Sequence, residues 1–149
     1  MIKVNRLTDY AALIICEIAI DKGDIISAKI LSEKTKISET TVIKLLKMLL
    51  KKDIIKSHRR TSGGYKLIKE LDEISILDVV EGIEGEISLT LCGKYNENNE
   101  SNCEYSNGCK VKNGWNKINS LFMLALQRFT IKDFIHDDTY FQLEKVRQR

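Results

Sequence analysis

Residues 38–52 spell an amphipathic helix with a polar beginning, and few folds accommodate one. Val42, Leu45, Leu46, Leu49 and Leu50 recur at helical spacing and form one apolar stripe. Ser38, Thr40, Thr41, Lys44 and Lys47 are left on the other side, and the Ser38 hydroxyl is placed to cap the free N–H groups of the first turn. A shorter helix fits Ser27 to Thr35, with Ser27 as cap, Ile30 and Leu31 turned inward, and Lys36-Ile37-Ser38 as a tight connection. Two helices joined by such a turn make a helix-turn-helix pattern, and the exposed start of the second is the part that enters a major groove. Its Ser and Thr hydroxyls can bond bases or phosphates, while the lysines supply charge to the phosphates.

The flanking segments complete a small domain. Upstream, residues 8–22 place Tyr10, Ala11, Leu13, Ile14, Ile18 and Ala19 near a helical period that Gly23 ends. Cys16 lies among these apolar neighbours and reads as a buried structural thiol. Downstream, two β-like runs, Ile54–His58 and Tyr65–Ile68, flank Arg59-Arg60-Thr61-Ser62-Gly63-Gly64. That is a hairpin wing, with Gly63 and Gly64 expected to supply the positive φ of a tight turn. Arg59 and Arg60 sit at its tip, where arginine can follow a minor groove or grip phosphates, and His58 is a hairpin side chain rather than a ligand.

Charge agrees with this division. Residues 1–70 carry 15 Lys/Arg against 8 Asp/Glu, whereas residues 71–113 carry 3 against 9. The basic part is attracted to a polyanion and the acidic part is repelled by it.

Beyond the wing, Ser75 to Glu84 is a short amphipathic helix with Ser75 and Asp78 at capping-box spacing. Then comes CGKYNENNESNCEYSNGC, residues 92–109, too rich in Asn and Gly for a regular core element. Cys92, Cys103 and Cys109 follow a C-x10-C-x5-C spacing with no CxxC pair, which argues against a zinc ribbon or finger. Spacing alone leaves a metal site and free thiols equally open, and three thiolates leave one coordination position unfilled. Residues 114–128 are strongly helical. Trp115, Ile118, Leu121, Phe122, Leu124, Ala125 and Phe129 give an apolar surface too broad for one small helix, which points to dimerisation. Thr130 and Asp133 repeat the capping-box spacing before a short last helix.

No apolar run approaches a bilayer span, and the apolar start, interrupted by Glu17, has no signal-peptide cleavage site, so the cytoplasm is expected. No Ser-His-Asp or His-Cys spacing, phosphate-cradling glycine loop or carboxylate pair marks an enzyme.

Taken in order, these segments resemble the IscR/NsrR family of bacterial winged-helix iron–sulfur regulators. The carriers are Leu7-Thr8-Asp9-Tyr10-Ala11, the wing from Arg59 to Leu67, Glu73 to Val80, the three cysteines, and Trp115 with the helix after it. The ending, including Ile118, Asn119 and Thr130-Ile131-Lys132-Asp133, looks closest to the branch regulating Suf-type iron–sulfur assembly genes. The resemblance implies a homodimer with a [2Fe–2S] or [4Fe–4S] cluster on each cysteine loop, held by Cys92, Cys103 and Cys109. The family's two-iron branch takes a histidine three residues after the last cysteine, where this chain has Lys112. The nitric-oxide-sensing branch uses the aspartate of its Thr-Asp opening, supplied by the other subunit, and Asp9 matches it. An Asp is a hard, weak ligand for cluster iron, suited to a labile site. Two other departures are the long first gap between cysteines and Arg60 where relatives usually have Gly.

The expectation is therefore a mainly α fold: a winged helix-turn-helix over 1–84, a cysteine loop over 85–113, and a dimerisation helix with its tail over 114–149. Its expected function is that of a homodimeric repressor binding pseudo-palindromic double-stranded DNA, responding to iron–sulfur status and controlling iron–sulfur assembly genes. The alternatives are a cluster-free thiol redox sensor or a nitric-oxide-responsive regulator of the same class, and, from another class, a protein adaptor that does not touch DNA.

Overall fold

A computed structural model describes residues 5–20, 24–58, 63–91, 103–105 and 108–135. The order is α1 (Arg6–Ile20), α2 (Ala28–Thr35), α3 (Glu39–Lys51), β1 (Ile55–His58), β2 (Gly64–Leu67), α4 (Ile76–Glu84), α5 (Lys112–Arg128) and α6 (Ile131–Ile135). This is the mainly helical winged helix-turn-helix that the sequence predicts. The expected stop at Gly23, the wing tip Arg59-Arg60 and Cys92 lie outside the described residues.

Asn5 starts α1 by accepting the Leu7 N–H at its side chain, 3.1 Å, and the Thr8 N–H at its carbonyl, 2.9 Å. Those bonds satisfy donors that a helix start leaves free. The buried arc of α1 includes Ala12 and Ile15, whereas Leu13, expected inside, is 41% exposed. Ser27 caps α2 as expected, accepting the Ile30 N–H at 3.3 Å. Leu31 is fully buried, but Ile30 is 44% exposed, because a helix of two turns turns only a narrow arc toward α3. Lys36 closes α2 in the left-handed region, φ 60°, which lets the chain reverse into α3 within three residues.

The α3 stripe holds as read: Val42, Leu45, Leu46 and Leu49 are fully buried and Leu50 is half-buried. Ile14, Ile15 and Ile18 of α1, Leu31, Ile54, Ile55, Ile74 and Val79 join it in one core. At the far edge of the wing, β2 also pairs with Ile26 through Tyr65 (2.8 and 3.1 Å). Gly64 does not take the positive φ that the turn reading expects of it. Its lack of a side chain serves close approach instead, since a Cβ there would lie 2.6 Å from the Ile26 carbonyl oxygen.

The capping box of α4 is complete. Ser75 Oγ accepts the Asp78 N–H at 3.0 Å, and Asp78 Oδ2 accepts the Ser75 N–H at 3.0 Å. Ser75 is 8% exposed and also pairs with Thr130, so Ser75→Ala should lower unfolding free energy by about 1–2 kcal/mol in urea titration. Gly85, at φ 78°, ends α4 in a conformation that L side chains rarely adopt.

The helix expected over 114–128 begins two residues earlier, at Lys112, and none of its residues is buried. Trp115, Ile118, Leu121 and Leu124 are 40–67% exposed. Its C-terminal end is nonetheless fixed: the Phe129 carbonyl accepts the Ile76 N–H at 2.8 Å, and Ile131, fully buried, donates to Ile74 at 2.9 Å. Asp133 accepts from the N–H and hydroxyl of Thr130, both at 2.8 Å, and so opens α6.

Candidate nucleic-acid interface and cysteine loop

The start of α3 is polar and largely exposed. Ser38, Thr40, Lys44 and Lys47 are exposed and Thr41 is half-buried. Ser38 occupies the N-cap position but does not cap through its side chain, contrary to the expectation. Its hydroxyl is taken by those of Thr41, 2.8 Å away, and Thr40, 3.3 Å. Three hydroxyls therefore pool where the helix presents free N–H groups and the positive end of its dipole, a combination suited to phosphate oxygens. Thr40, Lys44 and Lys47 follow the i, i+4, i+7 row, and the exposed Lys51 extends it. Lys51 was missed in the sequence, although its spacing from Lys47 is a usable signal.

The wing adds a second basic element. Lys56 of β1 lies directly opposite Lys66 of β2. Like charges in register repel, so the pair suits a wing that meets an anion, and only the strand register reveals it. Arg59 and Arg60 follow β1 directly but lie outside the described residues. His58 is the hairpin residue expected, with Nε2 buried and no partner among the described residues.

Around the cysteine loop, Cys103 and Cys109 are half-buried and outside any disulfide. The Cys109 carbonyl accepts the Lys112 N–H at 3.4 Å, which sets the last cysteine one turn ahead of α5 and Lys112 in its first turn. On the other side, Ser88 and Leu89 are bonded to Asn119 of α5 (3.3 and 3.0 Å). Both flanks of the loop are thus anchored on one helix. Asp9 is exposed in the first turn of α1, beside Thr8, which is buried and donates to Glu84 Oε1 at 2.6 Å. Among the described residues no three His, Cys, Asp or Glu side chains gather as a metal site, so Cys103, Cys109 and Asp9 do not form one within a single chain.

Cys16 stands apart from the loop. It packs against the core, and burial, reinforced by neighbouring Glu17, pushes its thiol above the usual range. It therefore stays protonated and unreactive at neutral pH, as a structural thiol should.

Comparison with known proteins agrees with this architecture. The profile of the Rrf2 family, described as iron-dependent transcriptional regulators, matches residues 4–137. The HTH-type transcriptional regulator NsrR of Oceanobacillus iheyensis is 28% identical over 137 residues, covering 91% of this chain and 90% of that protein. NsrR of Bacillus subtilis is 24% identical over 134 residues, 89% of this chain and 90% of the relative. Among solved structures, CymR, the global cysteine regulator of B. subtilis, superposes with a TM-score of 0.68 at 25% identity, covering 90% of this chain and 96% of CymR. IscR of T. potens gives 0.65 at 22% identity over 97% and 96%, a likeness of fold. No helix among the described residues is long and apolar enough to cross a membrane. With residues 4–137 matched, this chain belongs to the Rrf2 family and is a DNA-binding transcriptional regulator, not an enzyme.

Proposed function

We propose that this chain is a homodimeric repressor of iron–sulfur assembly genes whose affinity for a pseudo-palindromic operator follows the state of a cluster on the cysteine loop. The observation that carries the DNA reading is α3, with its fully buried stripe opposite an exposed row of hydroxyls and lysines. Ser38, Thr40 and Thr41 meet base edges and phosphates, Lys44 and Lys47 meet phosphates, and Arg59 and Arg60 extend the contact from the wing. Support for the dimer comes from α5, which leaves Trp115, Ile118, Leu121 and Leu124 to solvent. Two recognition helices held by one α5 pair would read two half-sites. Residues 1–84, 85–113 and 114–149 then divide into reading, sensing and pairing parts, with Ile131 tying the last to the first.

The donor set fits a cluster chemically. Cys103 and Cys109 are partly accessible and outside any disulfide, Cys92 completes three soft ligands, and the exposed Asp9 of a partner subunit can supply a fourth, oxygen ligand. Lys112 carries a cationic group and cannot serve as the histidine would. When bound, the cluster supplies a centre sensitive to iron supply, oxidants or nitric oxide. The chain's own part is to hold both flanks of the loop on α5. A second reading is regulation through the thiols without a cluster, supported by Cys103 and Cys109, which are partly accessible and outside any disulfide.

Titration of an operator duplex against salt tests the DNA contacts. Each phosphate neutralised contributes about −0.9 to the slope of log affinity against log salt. Lys44→Ala combined with Lys47→Ala should make the slope of the dimer shallower by about 3–4 while leaving the melting temperature unchanged. An unchanged slope would remove these lysines from the interface.

A further inference from the structure

Residues 87–90 carry neither helix nor strand, yet they form a strap held against α5. Asn119 Oδ1 accepts the Leu89 N–H at 3.0 Å and lies 3.3 Å from Ser88 Oγ, which also donates to the Thr90 carbonyl at 2.8 Å. Asparagine is a poor helix former, so two in mid-helix, Asn116 and Asn119, call for a tertiary partner. They share a face with the half-buried Met123 and Leu126, apart from exposed Ile118 and Leu121. Asn119 has its partner. Asn116 Oδ1, one helical turn toward the loop end of α5, is buried without one among the described residues, and so is Thr90 Oγ1. Buried polar atoms are nearly always satisfied, and a vacant acceptor one turn from the occupied one, with a vacant donor next along the strap from Leu89, points to a second arrangement of the same parts.

We infer that Asn119 and Asn116 are two alternative seats for the strap, making it the positioning device that ties the cysteine loop to α5. In the present state Ser88 and Leu89 sit on Asn119. A shift of the strap toward the loop brings the Thr90 hydroxyl onto the Asn116 amide oxygen and releases Asn119. The state of the loop then sets the seat, and the seat sets how α5 lies against α4 and the DNA-reading domain. This rests on the reading of the loop as the sensor.

The test uses the full chain. In its cluster-free form, Asn119→Ala should speed amide hydrogen exchange at Leu89 at least tenfold with α3 unchanged, whereas Asn119→Asp, which keeps the acceptor oxygen, should retain protection. Thr90→Val, which removes the hydroxyl at nearly equal shape, should leave Leu89 protected. Operator affinity is then compared before and after anaerobic reconstitution with iron and sulfide. Asn119→Ala and Thr90→Val should bring the ratio of the two affinities to within twofold of one, and Asn119→Asp should keep the wild-type ratio. Unchanged Leu89 exchange in Asn119→Ala, or a wild-type ratio in Asn119→Ala or Thr90→Val, overturns the inference. A wild-type chain whose affinity ignores reconstitution defeats the cluster reading instead, and the exchange result alone then decides the strap: faster exchange upholds the Asn119 seat and unchanged exchange rejects it.

Discussion

Gly64→Ala is expected to lower the stability of the chain by about 2–4 kcal/mol, because overpacking adds to the loss of strand hydrogen bonds. For a chain of this size that is roughly 6–12 °C in melting temperature. The added Cβ would meet the Ile26 oxygen at 2.6 Å and the Ile26 carbonyl carbon at 2.8 Å, both backbone atoms that cannot swing aside. Relief requires β2 to leave Ile26, breaking the bonds between Tyr65 and Ile26 (2.8 and 3.1 Å) and carrying Lys66 away from its place opposite Lys56. Operator affinity should therefore fall with stability. Thermal unfolding followed by circular dichroism gives the first number and duplex titration the second. A melting temperature within about 2 °C of wild type would mean that the wing is not held against Ile26 in solution.

Leu121→Asp should have the largest effect on function, with little effect on the fold. Leu121 is 67% exposed in the single chain, and α5 contributes no buried residue to it. A carboxylate there meets water in a monomer but is desolvated in an α5–α5 contact, where an unpaired buried charge costs several kcal/mol. The variant should sediment as a monomer with a near-native melting temperature. Without linkage of the two half-sites, its operator affinity should drop by about 100-fold or more. A folded dimer with unchanged affinity would show that the apolar face of α5 is covered by something other than a second copy.

Much of the fold was legible because its signals are local. The α3 stripe, the Ser27 cap of α2 and the Ser75–Asp78 box each lie within one element, and each appears as the spacing predicts. The misreadings arise where contacts that spacing does not encode decide. Leu13 and Ile30 fit a helical period but fall outside the arcs that their neighbours cover. The Ser38 hydroxyl could satisfy a backbone N–H or another hydroxyl, and only the placed Thr41 side chain settles which. Gly64 looks like a turn glycine until Ile26, 38 positions earlier in the chain, is seen to pack against it. Asn119 could not be found by local reasoning, because its partners, Ser88 and Leu89, are about 30 residues away. The cysteine spacing admits metal and free thiols alike, since convergence depends on a loop path that spacing does not encode.

The most direct test of a cluster-governed regulator is operator affinity measured on one anaerobic preparation, before and after reconstitution with iron and sulfide. The expected result is iron and sulfide bound with visible absorption, and an affinity change of about tenfold or more, within the usual range of coupling between sites. A chain that stays colourless and iron-free, with the same operator affinity throughout, would contradict it.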